Sequence, residues 1–168
     1  THEQAMYHFL SGYTAKLAGT EAGVDTPQAT FSAGFGAPFL PRPPAVYAKM
    51  LGEKLQKHGA KVFLVNTGWA GGPATRADRI KLRYTRALVT AALTGALHNA
   101  ETWTDPFFGL HVPVQAEGVP TELLRPREMW PDPQEYDKSA HELAKRFRDN
   151  MQKFKGVAQE ILAAEPKA

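Results

Sequence analysis

Glycine and proline between residues 19 and 44 constrain this chain more than any other feature. The stretch contains Gly19, Gly23, Gly34, Gly36, Pro27, Pro38, Pro41, Pro43 and Pro44. Because proline lacks an N–H donor and glycine weakens regular elements, no long helix or strand fits there. A loop of this length within a compact domain is often a lid or a binding loop. We therefore predict a mobile lid loop over residues 19–44.

Patterned segments on both sides of this loop predict an α/β fold, with a mixed α+β arrangement as the alternative. Apolar residues at spacings of three and four predict helices over residues 5–16, 44–59, 79–97 and 133–156. KVFLVN, at residues 61–66, predicts a buried strand of a sheet covered on both faces. A second strand is predicted within residues 107–114, at a sheet edge because Pro113 cannot donate a ladder hydrogen bond. The length suits one segment, 1–168, with one core.

Composition excludes several classes of site. The chain has 168 residues and no cysteine, so disulfides, thiolate metal sites and a cysteine nucleophile are excluded. His2 and Glu3 begin like the HExxH zinc motif, but Met6 stands where the second histidine is needed. A Walker A phosphate loop is absent from the sequence, and no apolar run approaches the roughly 20 residues that span a bilayer. We expect a soluble cytoplasmic protein with no membrane partner.

Positive charge is concentrated in the middle of the chain. Residues 38–98 carry ten basic and two acidic residues, whereas the whole chain has a net charge of +3. The cluster consists of Arg76, Arg79, Lys81, Arg83 and Arg86. At a helix start these side chains favour an anionic ligand; the alternatives are a solvated face or pairing with acids of the last third. We interpret nearby Trp69 as a packing residue rather than a platform for base stacking.

Four strings resemble the C-terminal part of ATP-dependent phosphoenolpyruvate carboxykinase, in the same order and with compatible spacing. They are FLSGYTAKLAGTE at residues 9–21, TFSAGFGAPF at 30–39, LVNTGW at 64–69 and RIKLRYTRAL at 79–88. FGLHVPV and the long last helix are also similar to the end of that family. The resemblance therefore covers essentially the whole chain.

The resemblance implies part of a nucleotide-binding C-terminal domain. The whole enzyme would convert oxaloacetate and ATP to phosphoenolpyruvate, ADP and CO2 in gluconeogenesis, with Mg²⁺ and Mn²⁺. It implies that Arg79 and Ile80 lie beside the adenosine and that the Thr85 hydroxyl contacts the purine edge. Catalytic residues and metal ligands are expected upstream, so this segment would need the upstream part for turnover. Nucleic acid is not an expected partner, and the lid implied by the family maps near residues 19–36.

Two departures from the family pattern leave alternatives open. Gly34 stands where the family has a cysteine. GGPATRADRI stands where the family has GGxxGxGxRI, so Thr75 to Asp78 replace glycines expected close to the nucleotide. A Cβ in place of glycine limits how closely a ligand approaches the backbone. The alternatives are a non-catalytic module that binds nucleotide or nucleic acid, and an inactive remnant of the enzyme.

Overall fold

The computed structural model describes residues 1–16 and 28–167, and these form two compact units. The first unit comprises residues 1–62 and 143–166, and the second comprises residues 63–142 with Lys167. Each unit has buried apolar side chains of its own. The single core that chain length predicts stays a prediction.

Helices and strands alternate along the chain, which confirms the predicted mixture of the two. The helices are α1 (His2–Ser11), α2 (Pro44–His58), α3 (Leu82–Leu93), α4 (Pro126–Met129), α5 (Pro133–Met151) and α6 (Gln159–Leu162). The strands are β1 (Tyr13–Lys16), β2 (Gln28–Phe31), β3 (Trp69–Ala70), β4 (Asp78–Arg79), β5 (Thr102–Thr104) and β6 (His111–Pro113). Among the described residues they pair as β1–β2, β3–β4 and β5–β6, each pair antiparallel.

Helix α1 ends earlier than the apolar pattern predicts. Gly12 adopts φ 54° and caps the helix in the left-handed conformation, with its N–H donating to the carbonyl of His8. A Cβ at this position would lie 1.6 Å from the carbonyl oxygen of Ser32, so only glycine fits. The predicted helix over residues 5–16 is therefore wrong beyond Ser11, and β1 begins at Tyr13.

The predicted loop over residues 19–44 is only partly described. Residues 19–27 lie outside the described residues. From residue 28 the chain forms β2 and two short 3₁₀ turns, Ala33–Phe35 and Ala37–Phe39, before α2 begins at Pro44. The described part is thus more regular than the glycine and proline content predicts, because 3₁₀ turns accept both residue types. A lid role for residues 19–44 stays a prediction.

Aromatic side chains hold the core of the first unit. The Phe147 ring contacts Tyr13 at a centroid distance of 5.1 Å and Phe31 at 5.2 Å, and Tyr13 contacts Phe31 across β1 and β2 at 5.4 Å. Tyr7 packs against the same ring at 6.5 Å. Other buried apolar side chains of this unit are Met6, Leu10, Ala33, Ala48, Leu55, Ala144, Met151 and Ile161.

Segment 61–66 does not form the predicted strand. Val62, Phe63 and Leu64 are 47%, 38% and 50% exposed, so the prediction of burial is also wrong. A strand needs a neighbour to satisfy its backbone N–H and C=O groups. The described residues provide none for this segment, although its composition favours a strand.

Helix α3 is shorter than its apolar pattern predicts. The predicted helix covers residues 79–97, but Asp78 and Arg79 pair with Ala70 and Trp69 as β4, which delays the start to Leu82. Gly95 at φ 83° follows the last helical turn. The predicted range 79–97 is therefore too long at both ends, since the hairpin delays the helix start and the helix ends before Gly95.

The predicted strand over residues 107–114 is too long, because only His111–Pro113 forms a strand, β6. Its partner β5 was not predicted, and it pairs Thr102 with Pro113. The Asp105 carboxylate accepts hydrogen bonds from the backbone N–H groups of Phe107 and Phe108 at 2.9 and 2.7 Å. This turn occupies the residues expected to begin the strand.

The long helix α5 begins where the sequence predicts. The Asp132 carboxylate accepts a hydrogen bond from the Gln134 N–H at 2.8 Å, as expected of a residue that caps the helix. The predicted range 133–156 extends too far, because the helix ends at Met151 and Gly156 adopts φ 72°. No helix in the described part of the chain is both long and apolar enough to cross a membrane.

Candidate nucleotide site

A hairpin in the second unit carries the first two residues of the predicted site. Strands β3 and β4 pair Trp69 with Arg79 and Ala70 with Asp78. The Ile80 N–H donates to the Gly68 carbonyl at 2.9 Å and continues this pairing. The turn contains Gly71 at φ 85° and Gly72 at φ 158°, conformations that L side chains rarely adopt. The glycine-rich loop thus closes a tight hairpin that ends at Arg79 and Ile80.

Arg79 lies across this hairpin on Trp69. Its guanidinium carbon is 5.5 Å from the centroid of the Trp69 ring, and Nη2 donates to the Thr67 carbonyl at 3.2 Å. The side chain is exposed, and it forms no ion pair with any residue that the structure describes. Its positive charge is therefore available to an anion from solution.

The start of α3 lies directly after the hairpin. Lys81 is the N-cap residue, without a side-chain capping hydrogen bond, and the first turn contains no acid. The N–H groups of a first helical turn have no partner within the helix, and the helix dipole favours an anion there. Thr85 lies in this part of α3 and is half-buried, as is Ile80. The three predicted residues thus lie at the junction of β4 and α3.

The remaining basic residues divide into two groups. Arg76 forms an exposed ion pair with Glu135 at 3.4 Å, the pairing with a later acid that the sequence leaves as an alternative. Arg83 donates to the Tyr84 hydroxyl and lies over the same ring. Lys81 and Arg86 are exposed and form no ion pair within the described residues. With Arg79, three of the five cations therefore contact other groups of the protein, and within the described part of the chain Arg76 alone does so through an ion pair.

The departure from the family's glycines falls in the turn of the hairpin. Arg76 and Ala77 both donate their backbone N–H to the Pro73 carbonyl at 2.9 Å, so residues 73–77 form a compact turn. Residues Thr75 to Asp78 are not among the described non-glycine residues with a positive φ, so none of them needs the backbone conformation that favours glycine. The structure accommodates these non-glycine residues locally.

A metal centre does not form among the described residues, which contain no group of three or more His, Asp or Glu side chains able to hold an ion. The Mg²⁺ and Mn²⁺ implied by the family resemblance therefore find no ligand set here.

Comparison with known proteins decides the family. A model of the family described as phosphoenolpyruvate carboxykinase matches residues 1–122. The chain belongs to the phosphoenolpyruvate carboxykinase family. It is 61% identical over 167 residues to phosphoenolpyruvate carboxykinase (ATP) of Caldanaerobacter subterraneus subsp. tengcongensis, covering 99% of this chain and 32% of that protein. It is 58% identical over 166 residues to the protein of the same name from Thermus thermophilus, covering 98% of this chain and 31% of that protein.

The chain spans about a third of the length of the curated carboxykinase relatives it matches. This share agrees with the prediction of a C-terminal portion. The site residues Arg79, Ile80 and Thr85 stay a prediction, and the sequence did not predict the contact between Trp69 and Arg79. Only Trp69 among the four strand residues of this hairpin favours a strand, so the sequence offered little signal for the pairing.

Proposed function

We propose that this chain supplies the adenosine side of the ATP site of a phosphoenolpyruvate carboxykinase. The observation that carries the proposal is Arg79, whose guanidinium lies on Trp69 next to a helix start that contains no acid. Arg79 provides charge and hydrogen-bond donors, Ile80 an apolar surface for the base, and Thr85 a hydroxyl for the purine edge. These three roles come from the family resemblance and fit the observed junction of strand and helix.

The reaction proposed for the complete enzyme needs a precisely held nucleotide. Oxaloacetate loses CO2, the enolate oxygen of the product attacks the γ-phosphorus of ATP, and ADP leaves. Holding the adenosine in one place lowers the entropic cost of aligning the phosphoryl group with the enolate. This segment therefore contributes binding and orientation, while phosphate contacts, metal ligands and oxaloacetate-binding residues are proposed for the rest of the enzyme. A lid formed by residues 19–44 and a cytoplasmic location are further parts of this proposal.

Exposed apolar side chains on α3 suggest that this face packs against a part of the enzyme outside this chain. On α3, Leu82, Val89 and Leu93 are 62%, 41% and 83% exposed. Such a face is costly to leave in water at about 25 cal/mol per Å² of apolar surface. We propose that the remainder of the carboxykinase covers it, so the segment alone should bind nucleotide without turnover.

Calorimetric titration of ATP into the chain tests the binding role. We expect Arg79→Ala to raise the dissociation constant at least about ten-fold, because a hydrogen bond to a charged group contributes about 1.5–3 kcal/mol. Lys54→Ala is the matched control: it removes one exposed positive charge from α2 in the first unit and should leave ATP binding unchanged. Equal losses in the two variants would mean that net charge alone attracts ATP.

The same titration separates the alternatives. Single-stranded DNA that binds more tightly than ATP, with affinity falling steeply as salt rises, would favour a nucleic-acid-binding module. Absence of ATP binding, with no response to Arg79→Ala, would favour an inactive remnant.

A further inference from the structure

The Trp69 indole and the Thr67 carbonyl contact the Arg79 guanidinium together. Trp69 faces Arg79 in the β3–β4 register, with the guanidinium carbon 5.5 Å from its ring centroid. The Thr67 carbonyl accepts from Nη2 at 3.2 Å. A ring contact and a hydrogen bond to one nitrogen restrict the position of the guanidinium, although the side chain is exposed.

This arrangement differs from ordinary core packing. Trp69 is half-buried and is not among the buried apolar side chains of either unit. An exposed arginine otherwise populates many rotamers, and fixing them on binding costs free energy. A ring that holds the guanidinium in advance removes part of that cost.

We propose that Trp69 is a positioning residue for nucleotide binding, which acts by holding the Arg79 guanidinium ready for ATP. This inference rests on the proposed function of Arg79. Trp69 itself need not touch the nucleotide. Its effect should therefore depend entirely on Arg79, and a phenylalanine should retain part of it because phenylalanine also offers an aromatic face.

Titration of ATP into three Trp69 variants of the full chain tests the proposal. We expect Trp69→Leu to raise the ATP dissociation constant about two- to five-fold, the range that corresponds to an exposed cation–π contact. Trp69→Phe should restore part of the loss. In the double variant Trp69→Leu/Arg79→Ala, binding should be no weaker than in Arg79→Ala alone, because the interaction that Trp69 supports is already gone.

Trp103 provides a matched control within the same unit. Arg125 lies over its ring at 5.7 Å, and its Nε1 donates to the Leu124 carbonyl. Trp103→Leu thus removes a similar cation–π contact remote in sequence from Arg79 and should leave ATP affinity unchanged. An NMR spectrum of ¹⁵N-arginine gives a readout independent of ATP: Trp69→Leu should move the Arg79 Nε–Hε signal by removing the ring current, while Trp103→Leu should not.

Each outcome decides the proposal. A loss in Arg79→Ala without a loss in Trp69→Leu overturns the positioning role and leaves the proposed function standing. Additive losses in the double variant, or equal losses in Trp103→Leu, also overturn it, since Trp69 would then act without Arg79 or through general stability. If neither Arg79→Ala nor Trp69→Leu changes ATP binding, both the proposed function and this inference are wrong.

Discussion

The two units use their apolar side chains differently. In the first unit the Phe147 ring lies among Tyr7, Tyr13 and Phe31 and is 7% exposed. In the second unit the apolar face of α3 is turned to solvent, with Leu93 83% exposed. The Phe147 cluster of the first unit is thus buried, although Met50 on α2 of the same unit is 49% exposed. The α3 face of the second unit has no cover among the described residues.

This difference indicates which parts of the chain carry their own stability. A buried side chain contributes in proportion to the surface it removes from water, and an exposed one contributes little. The second unit also carries the candidate nucleotide site. The proposed site therefore lies in the same unit as the exposed face of α3.

The largest expected effect is the contrast between Phe147→Ala and Leu93→Ala. Phe147→Ala should lower the free energy of unfolding of the first unit by about 3–5 kcal/mol, because it removes a buried ring from a packed cluster. Leu93→Ala should change the free energy of unfolding of the second unit by less than about 0.5 kcal/mol. Hydrogen exchange of α1 amides reports the first unit, and fluorescence reports the second because Trp69, Trp103 and Trp130 all lie there. Similar losses in both variants would contradict the comparison.

Two glycines with the same backbone conformation give the next contrast. Gly12→Ala should destabilise the first unit by about 3 kcal/mol or more, since φ is 54° and the new Cβ meets the Ser32 carbonyl oxygen. Gly59→Ala should cost only about 1 kcal/mol: φ is 59°, but nothing lies within 4 Å of the new Cβ. Thermal unfolding followed by circular dichroism measures both. Equal losses of stability in the two variants would show that the Ser32 carbonyl moves away from the new Cβ without strain.

Gly34 should resist replacement by the cysteine that the family resemblance leads us to expect there. Its φ is 59°, and a Cβ would lie 3.0 Å from Phe9 Cζ and 3.1 Å from Leu40 Cδ1. We expect Gly34→Cys to destabilise the chain by about 1–2 kcal/mol, measured by urea unfolding under reducing conditions. An increase in stability would show that the backbone here readily adopts the conformation suited to cysteine.

The smallest expected effect is a pH dependence in the first unit. Burial lowers the pKa of the His8 imidazole, whose ring contacts Phe35 at 5.7 Å. The unfolded chain then takes up a proton more readily than the folded one, so stability falls as pH drops through about 6.5, the ordinary histidine value. His8→Gln should flatten this dependence between pH 8 and 5.5, whereas His58→Gln, an exposed substitution in α2, should not. An unchanged slope in His8→Gln would contradict the assignment.

Local signals predicted much of this fold. Pro44 and Gly59 identify the ends of α2, and Asp132 identifies the start of α5, because each acts through its own backbone or a neighbouring N–H. The predictions are wrong where residues distant in the sequence determine the secondary structure. Segment 61–66 has the composition of a strand but lacks a partner, and Arg79 belongs to β4 because Trp69 pairs with it. For the same reason, the sequence did not predict the contact between Arg79 and Trp69, and the site residues themselves stay a prediction.

Reconstitution of phosphoenolpyruvate formation tests the central claim most directly. The chain is assayed with oxaloacetate, ATP, Mg²⁺ and Mn²⁺, alone and joined to the part of the Caldanaerobacter relative that it does not span. The account predicts no product from the chain alone, product from the joined protein, and a higher KM for ATP after Arg79→Ala in the joined protein. Turnover by the chain alone, or a KM for ATP that Arg79→Ala does not change, would contradict it.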